Sequence, residues 1–575
     1  ALGTNTTAAN NAAIGYGALF ANTTGASNVA VGKDAMNANT TGATNTAVGF
    51  SAMLVNTTAG ENTAIGDCTL ATQVAGGIGN TALGYFAGRL NTAGDNLTAI
   101  GKNALCANTT GGLNTAVGSG ASIKNTTGCY NVAVGGNASA CGTTGDQNTV
   151  IGYNANLKAT TTGGNTAMGF SALSCNTGAS NTAVGASALI ANTTGASNTA
   201  VGLGALTTNT TAAQNTAVGL NAMNKNTTGA SNVGVGVLAL GCNTTAASNT
   251  AVGEKALWKN TTGADNVAMG YLALAANTTG ANNVAIGVTT LDSNTEGDNN
   301  TAVGRSALGN STTGDNNTAV GLYSLLANTT GTNNTAVGCE ALKTNTTGTH
   351  NVALGNVPLC ANTTGVHNIG VGNLALRINT TGDCNVAMGI GALDANTTAD
   401  SNVAIGPYSM SAASTGHSNT AIGGSSGNNV TTGDNNVLLG YSAGTDGVRT
   451  VNSGDNNIVI GNNSSATAHI KIDWTVTSDE RDKMNFEEVP HGLNFVNQMK
   501  PVSFVFKKSR EDNTPHGPQK YGFKAQDILA LEGDNPIIIS NEDEENLKVT
   551  SSHLTPVLVK AIQELTKRIE ELEKK

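Results

Sequence analysis

Aromatic side chains are scarce in this 575-residue chain (3%), and charged ones make up only 11%. A chain this long cannot fold as one compact domain, whereas a stacked repeat has no such limit. No apolar run approaches roughly 18 residues, so nothing reads as a membrane-spanning helix. The net charge is −10, with no basic stripe and no interleaving of aromatic and basic residues, which argues against nucleic acid as a partner. The calcium-solenoid pattern G-G-x-G-x-D is absent, and nothing in the sequence implies a cofactor or a metal. Ala1 falls inside a repeat and is not preceded by Met, so the expectation is a fragment whose upstream signal or anchor is out of view.

Small and polar residues are present in excess, and they recur. One clean stretch is Asn215 to Ser231, NTAVGLNAMNKNTTGAS, and copies of it run from Asn11 to Asn457, 27 in all. Of the 26 spacings, 23 are 17 residues; the exceptions are 18 (Asn62 to Asn80), 16 (Asn165 to Asn181) and 21 (Asn436 to Asn457). A fixed period of this length signifies a stacked repeat architecture and argues against the disorder that low charge and low hydrophobicity also allow.

Positions within a copy are numbered 1 to 17. Position 5 is Gly in all 27 copies, which suits a corner where a Cβ would be penalised. Position 2 is mostly Thr or Val and position 4 is aliphatic, which predicts a short strand with positions 2 and 4 as its apolar face. Position 3, on the opposite face, is Ala or Gly except at Val150, Leu438 and Val459. Positions 8 and 9, often Ala-Leu or Ala-Met, supply a second apolar contact and read as a second short strand. Positions 12 to 15, usually Asn-Thr-Thr-Gly, are turn chemistry. At ~4.8 Å per rung, 27 rungs predict a rod on the order of 130 Å. The Asn-Thr-Thr triplets also match the glycosylation sequon, but turns with stacked Asn and Thr side chains explain their regularity better. The Gly-x-Gly fragments come from the repeat and not from a nucleotide loop.

Nine cysteines (68, 106, 129, 141, 175, 242, 339, 360 and 384) all lie in the repeats, without metal-ligand spacing, and read as structural or incidental thiols. The composition then changes. Residues 478–575 hold 14 of the 27 Lys/Arg and 18 of the 37 Asp/Glu, and no Cys, which excludes a Cys-based zinc site there. The expected organisation is a repeat domain over 1–470, a junction over 471–477 and a charged domain over 478–575.

The repeats resemble the head repeats of trimeric autotransporter adhesins, whose pattern is close to N-S-V-A-I-G. It appears here as Asn402-Val403-Ala404-Ile405-Gly406 and Asn28-Val29-Ala30-Val31-Gly32. The resemblance implies a left-handed parallel β-roll assembled as a trimer. The coiled-coil stalk and membrane barrel of that family are not in this sequence.

In the charged part, Leu493, Val496 and Met499 suggest a short helix, and Val502 to Phe506 a strand. Lys507 to Gln519 reads as a charged loop, and Tyr521 to Leu531 as strand into helix. Ile537 to Ile539 and Leu547 to Val549 read as strands around the acidic turn Glu542 to Glu545. From Leu554 to the end the sequence predicts a helix whose Leu558, Ile562, Leu565, Ile569 and Leu572 alternate spacings of four and three, the seam of a coiled coil over 554–575.

This region resembles the intramolecular chaperone domain of phage tailspikes and fibres, the peptidase S74 family. The resemblance rests on Ser478-Asp479-Glu480-Arg481-Asp482-Lys483, Lys500-Pro501-Val502-Ser503-Phe504, Tyr521-Gly522-Phe523-Lys524-Ala525-Gln526 and the closing Ala561-Ile562-Gln563-Glu564-Leu565. It implies a domain that trimerises, templates folding of the β-structure upstream, and then cuts itself off before the Ser of the motif, at Thr477–Ser478. It further implies that Ser478 and Lys483 carry the cleavage. A Ser hydroxyl is a weak nucleophile until a base takes its proton, and Lys483 can serve if its setting lowers its pKa. Asp479 and Arg481 read as a local ion pair that shapes the turn. On the residues alone, Ser478 and Lys483 also fit an ordinary surface turn. His491, His516 and His553 compose no triad.

The expected function is therefore a homotrimeric extracellular fibre, on a virion tail or a bacterial surface, that binds a cell-surface glycan or protein and is folded by its own C-terminal chaperone. Two alternatives stand beside it: a polysaccharide-degrading tailspike, which needs two placed carboxylates, and an ice-binding solenoid, which needs a flat Thr array.

Overall fold

The computed structural model describes residues 1–445, 450–465, 478–507, 510, 512–534, 536–541 and 547–575. The expected junction 471–477, including Thr477, and the acidic turn Glu542 to Glu545 lie outside the described residues. Two compact units divide the chain, Ala1–Asn385 and Val386–Lys575.

Both units contain a parallel β-solenoid with one three-residue strand per rung. The first unit runs from β1 (Ala12–Ile14) to β22 (Ile369–Val371), and the second opens with β23 (Val386–Met388) to β27 (Ile458–Ile460). Neighbouring strands pair in register, as Thr199, Ala200 and Val201 do with Thr216, Ala217 and Val218. The three irregular spacings keep that register: Thr63 pairs with Thr81, Thr166 with Thr182, and Val437 with Ile458. The turns therefore absorb every change in rung length.

The strand faces the opposite way from the one its pattern suggests. Position 3 points inward: Ala200 and Ala217 are completely buried. Positions 2 and 4 point outward, and Val218 is 36% exposed. The reason is the volume available in a narrow rung. The interior is filled by position 9, where Leu206 and Met223 are fully buried beside the Ala of positions 3 and 8. Burying each such side chain is worth about 1.5–3 kcal/mol.

No second strand forms at positions 8 and 9. The backbone turns instead through left-handed residues at positions 7 and 9, with Asn221 at φ 53° and Met223 at φ 49°. Left-handed Leu or Met is disfavoured by sterics, and full burial of the side chain offsets that cost. Rung-to-rung bonding continues through these turns: Met223 N–H donates to Ala239 O at 2.9 Å and Asn221 N–H to Leu203 O at 2.9 Å. The invariant corner needs Gly for two reasons. Gly219 sits at φ 136°, and a Cβ there would stand 2.5 Å from the Gly236 carbonyl oxygen.

Two buried Asn ladders complete the interior. At position 1, Asn215 N–H donates to Asn198 Oδ1 at 3.0 Å, and Asn215 Nδ2 donates to Gly229 O at 2.9 Å. At position 12, Asn226 Nδ2 donates to Asn209 Oδ1 at 3.1 Å and to Gly229 O at 2.9 Å. A buried amide is tolerated when it is hydrogen-bonded in this way. The sequon Asn is thus a structural residue turned into the core, and the Thr227 hydroxyl donates to Thr244 O at 3.0 Å. All nine thiols are free.

After the solenoid, the second unit holds a small α/β region. It comprises α1 (Leu493–Gln498), an antiparallel pair β28 (Val502–Lys507) and β29 (Pro515–Gly522), α2 (Ala525–Glu532), a pair β30 (Ile539–Ser540) and β31 (Lys548–Val549), and α3 (Leu554–Glu573). The expected loop over Lys507 to Gln519 is thus partly strand β29. Its core is Phe495, Ile528, Ile538, Ile539, Leu554 and Val557.

Candidate functional site

The turn that opens the α/β region is built by Asp479. Its carboxylate caps a single 3-10 turn, Glu480–Asp482, by accepting from Arg481 N–H at 2.9 Å. The same carboxylate takes the Arg481 guanidinium through Nε at 3.0 Å and Nη2 at 2.5 Å. That guanidinium, and then the Arg481 amide, hold the Asp479 carboxyl below the usual carboxylate range. The turn closes where Lys483 N–H donates to Glu480 O at 3.1 Å. The chain has now folded back, and Lys483 Nζ stands 2.6 Å from Ser478 Oγ and 3.5 Å from Ser478 O.

All four predicted residues therefore meet in one six-residue turn. Ser478 and Lys483 are within direct proton-transfer distance. Both are exposed in the single chain. Thr477, on the other side of the expected bond, is outside the described residues. Among the described residues, no group of three or more His, Cys, Asp or Glu converges on a possible metal position.

Helix α3 has two apolar stripes. Leu554, Val557 and Ala561 are buried against the rest of the region. The predicted seam is a second stripe, and its members stay open: Leu558 is 42% exposed, Ile562 63%, Leu565 46%, Ile569 47% and Leu572 70%. Along the inward side, polar residues pin the helix. Glu564 Oε2 accepts from Leu493 N–H at 2.8 Å and so caps α1, while Lys560 Nζ donates to Val489 O at 2.8 Å. At the end of α2, the Glu532 carboxylate accepts three successive amides, from Ile537 (2.9 Å), Ile538 (2.6 Å) and Ile539 (2.9 Å). Sequence reading missed these anchors. The spacing 554, 557, 561, 564 was the available signal for the inward stripe, since it repeats the 3-4-3 pattern out of phase with the seam.

No helix among the described residues is long and apolar enough to cross a membrane. No curated protein matches the chain. Residues 478–534 match the family Peptidase S74, chaperone of endosialidase. A domain of that kind thus stands at the C-terminus, behind the long β-solenoid, and its matched segment begins at Ser478.

Proposed function

We propose that three parallel copies of this chain assemble into an extracellular fibre, on a virion tail or a bacterial surface, whose repeats bind a cell-surface glycan or protein. Residues 478–575 act as the folding chaperone, and Ser478 with Lys483 releases it by cutting Thr477–Ser478 once. Domains of this family are typical of phage tail fibres and tailspikes.

The observation that carries the reading is the open seam of α3. Five large aliphatic residues in heptad spacing face away from a helix already packed on its other side. Such a stripe is stable when like helices cover it; Ile at a with Leu at d taken alone favours two strands, so the number three is drawn from the S74 resemblance and not from the seam. The solenoid presents a matching need, because its outward position 4 places an apolar residue on nearly every rung, from Val31 and Val48 to Ile405 and Ile422. Near-identical rungs can also pair out of register with little penalty, so a trimer nucleus at one end would set the alignment before the rungs zip.

The structure also weighs on the alternatives. The Asp residues of position 16 are occupied structurally: Asp298 Oδ1 accepts from Ala281 N–H at 2.6 Å and Asp315 Oδ1 from Asp298 N–H at 2.7 Å. They are backbone acceptors within the stack and not a catalytic pair. Thr stands at the outward position 2 in only 15 of the 27 strands, which breaks the hydroxyl array an ice-binding face needs.

Light scattering tests the assembly. The full chain should give a mass near three times 57.2 kDa. Ile562→Asp with Leu565→Asp should abolish it, leaving monomer or aggregate. A monodisperse wild-type monomer would remove the trimer, and with it the chaperone role.

A further inference from the structure

His350 and His367 occupy position 17 of consecutive rungs. Their backbones are locked to the stack in the same way, with His350 N–H donating to Thr332 O and His367 N–H to Thr349 O, both at 3.1 Å. Both residues are left-handed, at φ 59° and 58°, and both are exposed. The identical backbone geometry projects the two side chains side by side, so the rings stack at a centroid distance of 4.9 Å with 22° between their planes. The Thr349 hydroxyl lies 3.1 Å from His350 Nδ1. That contact engages Nδ1 and leaves Nε2 as the atom of His350 open to a ligand. A ring oriented by a hydrogen bond through one nitrogen, with the other nitrogen unprotonated, is the usual state of a metal-ligating histidine.

We infer that His350 and His367 form a two-imidazole chelate for a first-row divalent transition metal of the nickel, copper or zinc class. Metal–nitrogen bonds of ~2.1 Å at a near-tetrahedral angle place the two donor nitrogens about 3.4 Å apart. Imidazole donates in the plane of its ring, so the two rings, one rung apart and both exposed, turn out of the stack about their side-chain torsions to meet at one ion. Imidazole donors select these metals over magnesium or calcium, which take oxygen ligands. No further His, Cys, Asp or Glu converges with the pair among the described residues, so water completes the coordination. Cys384 holds the same repeat position one rung further on and is exposed, but it is not one of the ligands. A bound ion would clamp two adjacent rungs from outside.

Calorimetric titration of the full chain with nickel chloride, under reducing conditions, tests the site. The expected result is one site per chain. His350→Asn or His367→Asn should weaken it on the order of 10²-fold, the gain of a chelate over a single imidazole. Asn is the right replacement, because the preceding rung carries Asn333 at this position with φ 58°, so the fold is kept. Cys384→Ser should leave binding unchanged. The inference is overturned if wild type binds no nickel, if the His350→Asn/His367→Asn variant binds like wild type, or if Cys384→Ser abolishes binding.

Discussion

Leu438 fills the space that Gly427 leaves. A Cβ on Gly427 would stand 2.6 Å from Leu438 Cδ1, and one on Gly444 would stand 2.9 Å from Leu438 Cδ2. Leu438 is at position 3, where nearly every other rung has Ala, and the two glycines are at position 9, where most rungs have Leu or Met. The interior volume is conserved while its source moves from one wall of the rung to the other. Leu438→Ala should leave a cavity and cost about 2–5 kcal/mol locally. Gly427→Leu alone should overpack, at about 1–3 kcal/mol. Because the two sites share one volume, the double variant should recover much of the loss, a strongly non-additive cycle. Amide exchange in the flanking rungs reads these changes. Simple additivity would show that the two positions do not share one core.

A second departure from the repeat is not compensated in this way. Position 9 is Ser122, Ser139 and Asn156 in three consecutive rungs, and position 12 is Gly142 and Ala159 where the Asn ladder should pass. A cavity of about 10 Å³ opens there, lined by Ser122, Asn125, Asn131, Ser139, Asn148 and Thr162 among others. Both polar atoms of the Asn156 side chain and the Thr162 hydroxyl are buried without a protein partner. An unsatisfied buried amide costs about 1–3 kcal/mol, so Asn156→Leu should stabilise the segment by a similar amount. Leu173, one rung on, has the same left-handed backbone at φ 56°, so Leu fits. In wild type, deuterium uptake over residues 139–162 should be faster than over the regular rung Asn215–Ser231. Equal protection would mean that the polar section is as stable as the rest.

The period, the Gly corner and the Asn turns were legible in the sequence because each is a direct consequence of one-rung geometry. The direction of the strand was not. Alternation identifies two faces, and β-branched Thr and Val at positions 2 and 4 look like core, yet Ala217 is inside because Met223 already fills the rung. Nor could position 9 be read as a left-handed turn, since Leu and Met give no turn signal and adopt that backbone only because burial compensates. Strand β29 was hidden by Pro515, Gly517 and Pro518, which a two-stranded pair tolerates on its open edge. The turn from Ser478 to Lys483 was legible as a motif, and Asp479 supplies its physical reason. The inward stripe of α3 was overlooked because the seam, with larger residues, dominates the same helix.

The sharpest chemistry is the contact of Lys483 Nζ with Ser478 Oγ. For the hydroxyl to attack the Thr477 carbonyl, Lys483 must take its proton. The Thr477–Ser478 C–N bond then breaks as the freed amine accepts that proton, and water hydrolyses the resulting ester. Ser478 and Lys483 are both exposed in one chain. Assembly that covers the turn would exclude water and fix the pair against the scissile carbonyl, so cleavage should follow trimer formation and not precede it. Asp479 sets the geometry, and its carboxyl is held below the ordinary range by Arg481. A depressed carboxylate contributes above its unfolded value and loses that contribution as pH falls through the folded one. The turn is therefore intact at neutral pH, and Asp479→Asn should impair cutting there by removing the charge that holds Arg481. Ser478→Ala should abolish cutting without preventing assembly. Lys483→Arg should slow it on the order of 10²–10⁴-fold, because Arg stays protonated and cannot act as the base. Mass spectrometry of the purified protein should find products 1–477 and 478–575. Intact wild-type trimer after prolonged incubation, or equal cutting in Ser478→Ala, would leave the domain as a chaperone without a protease.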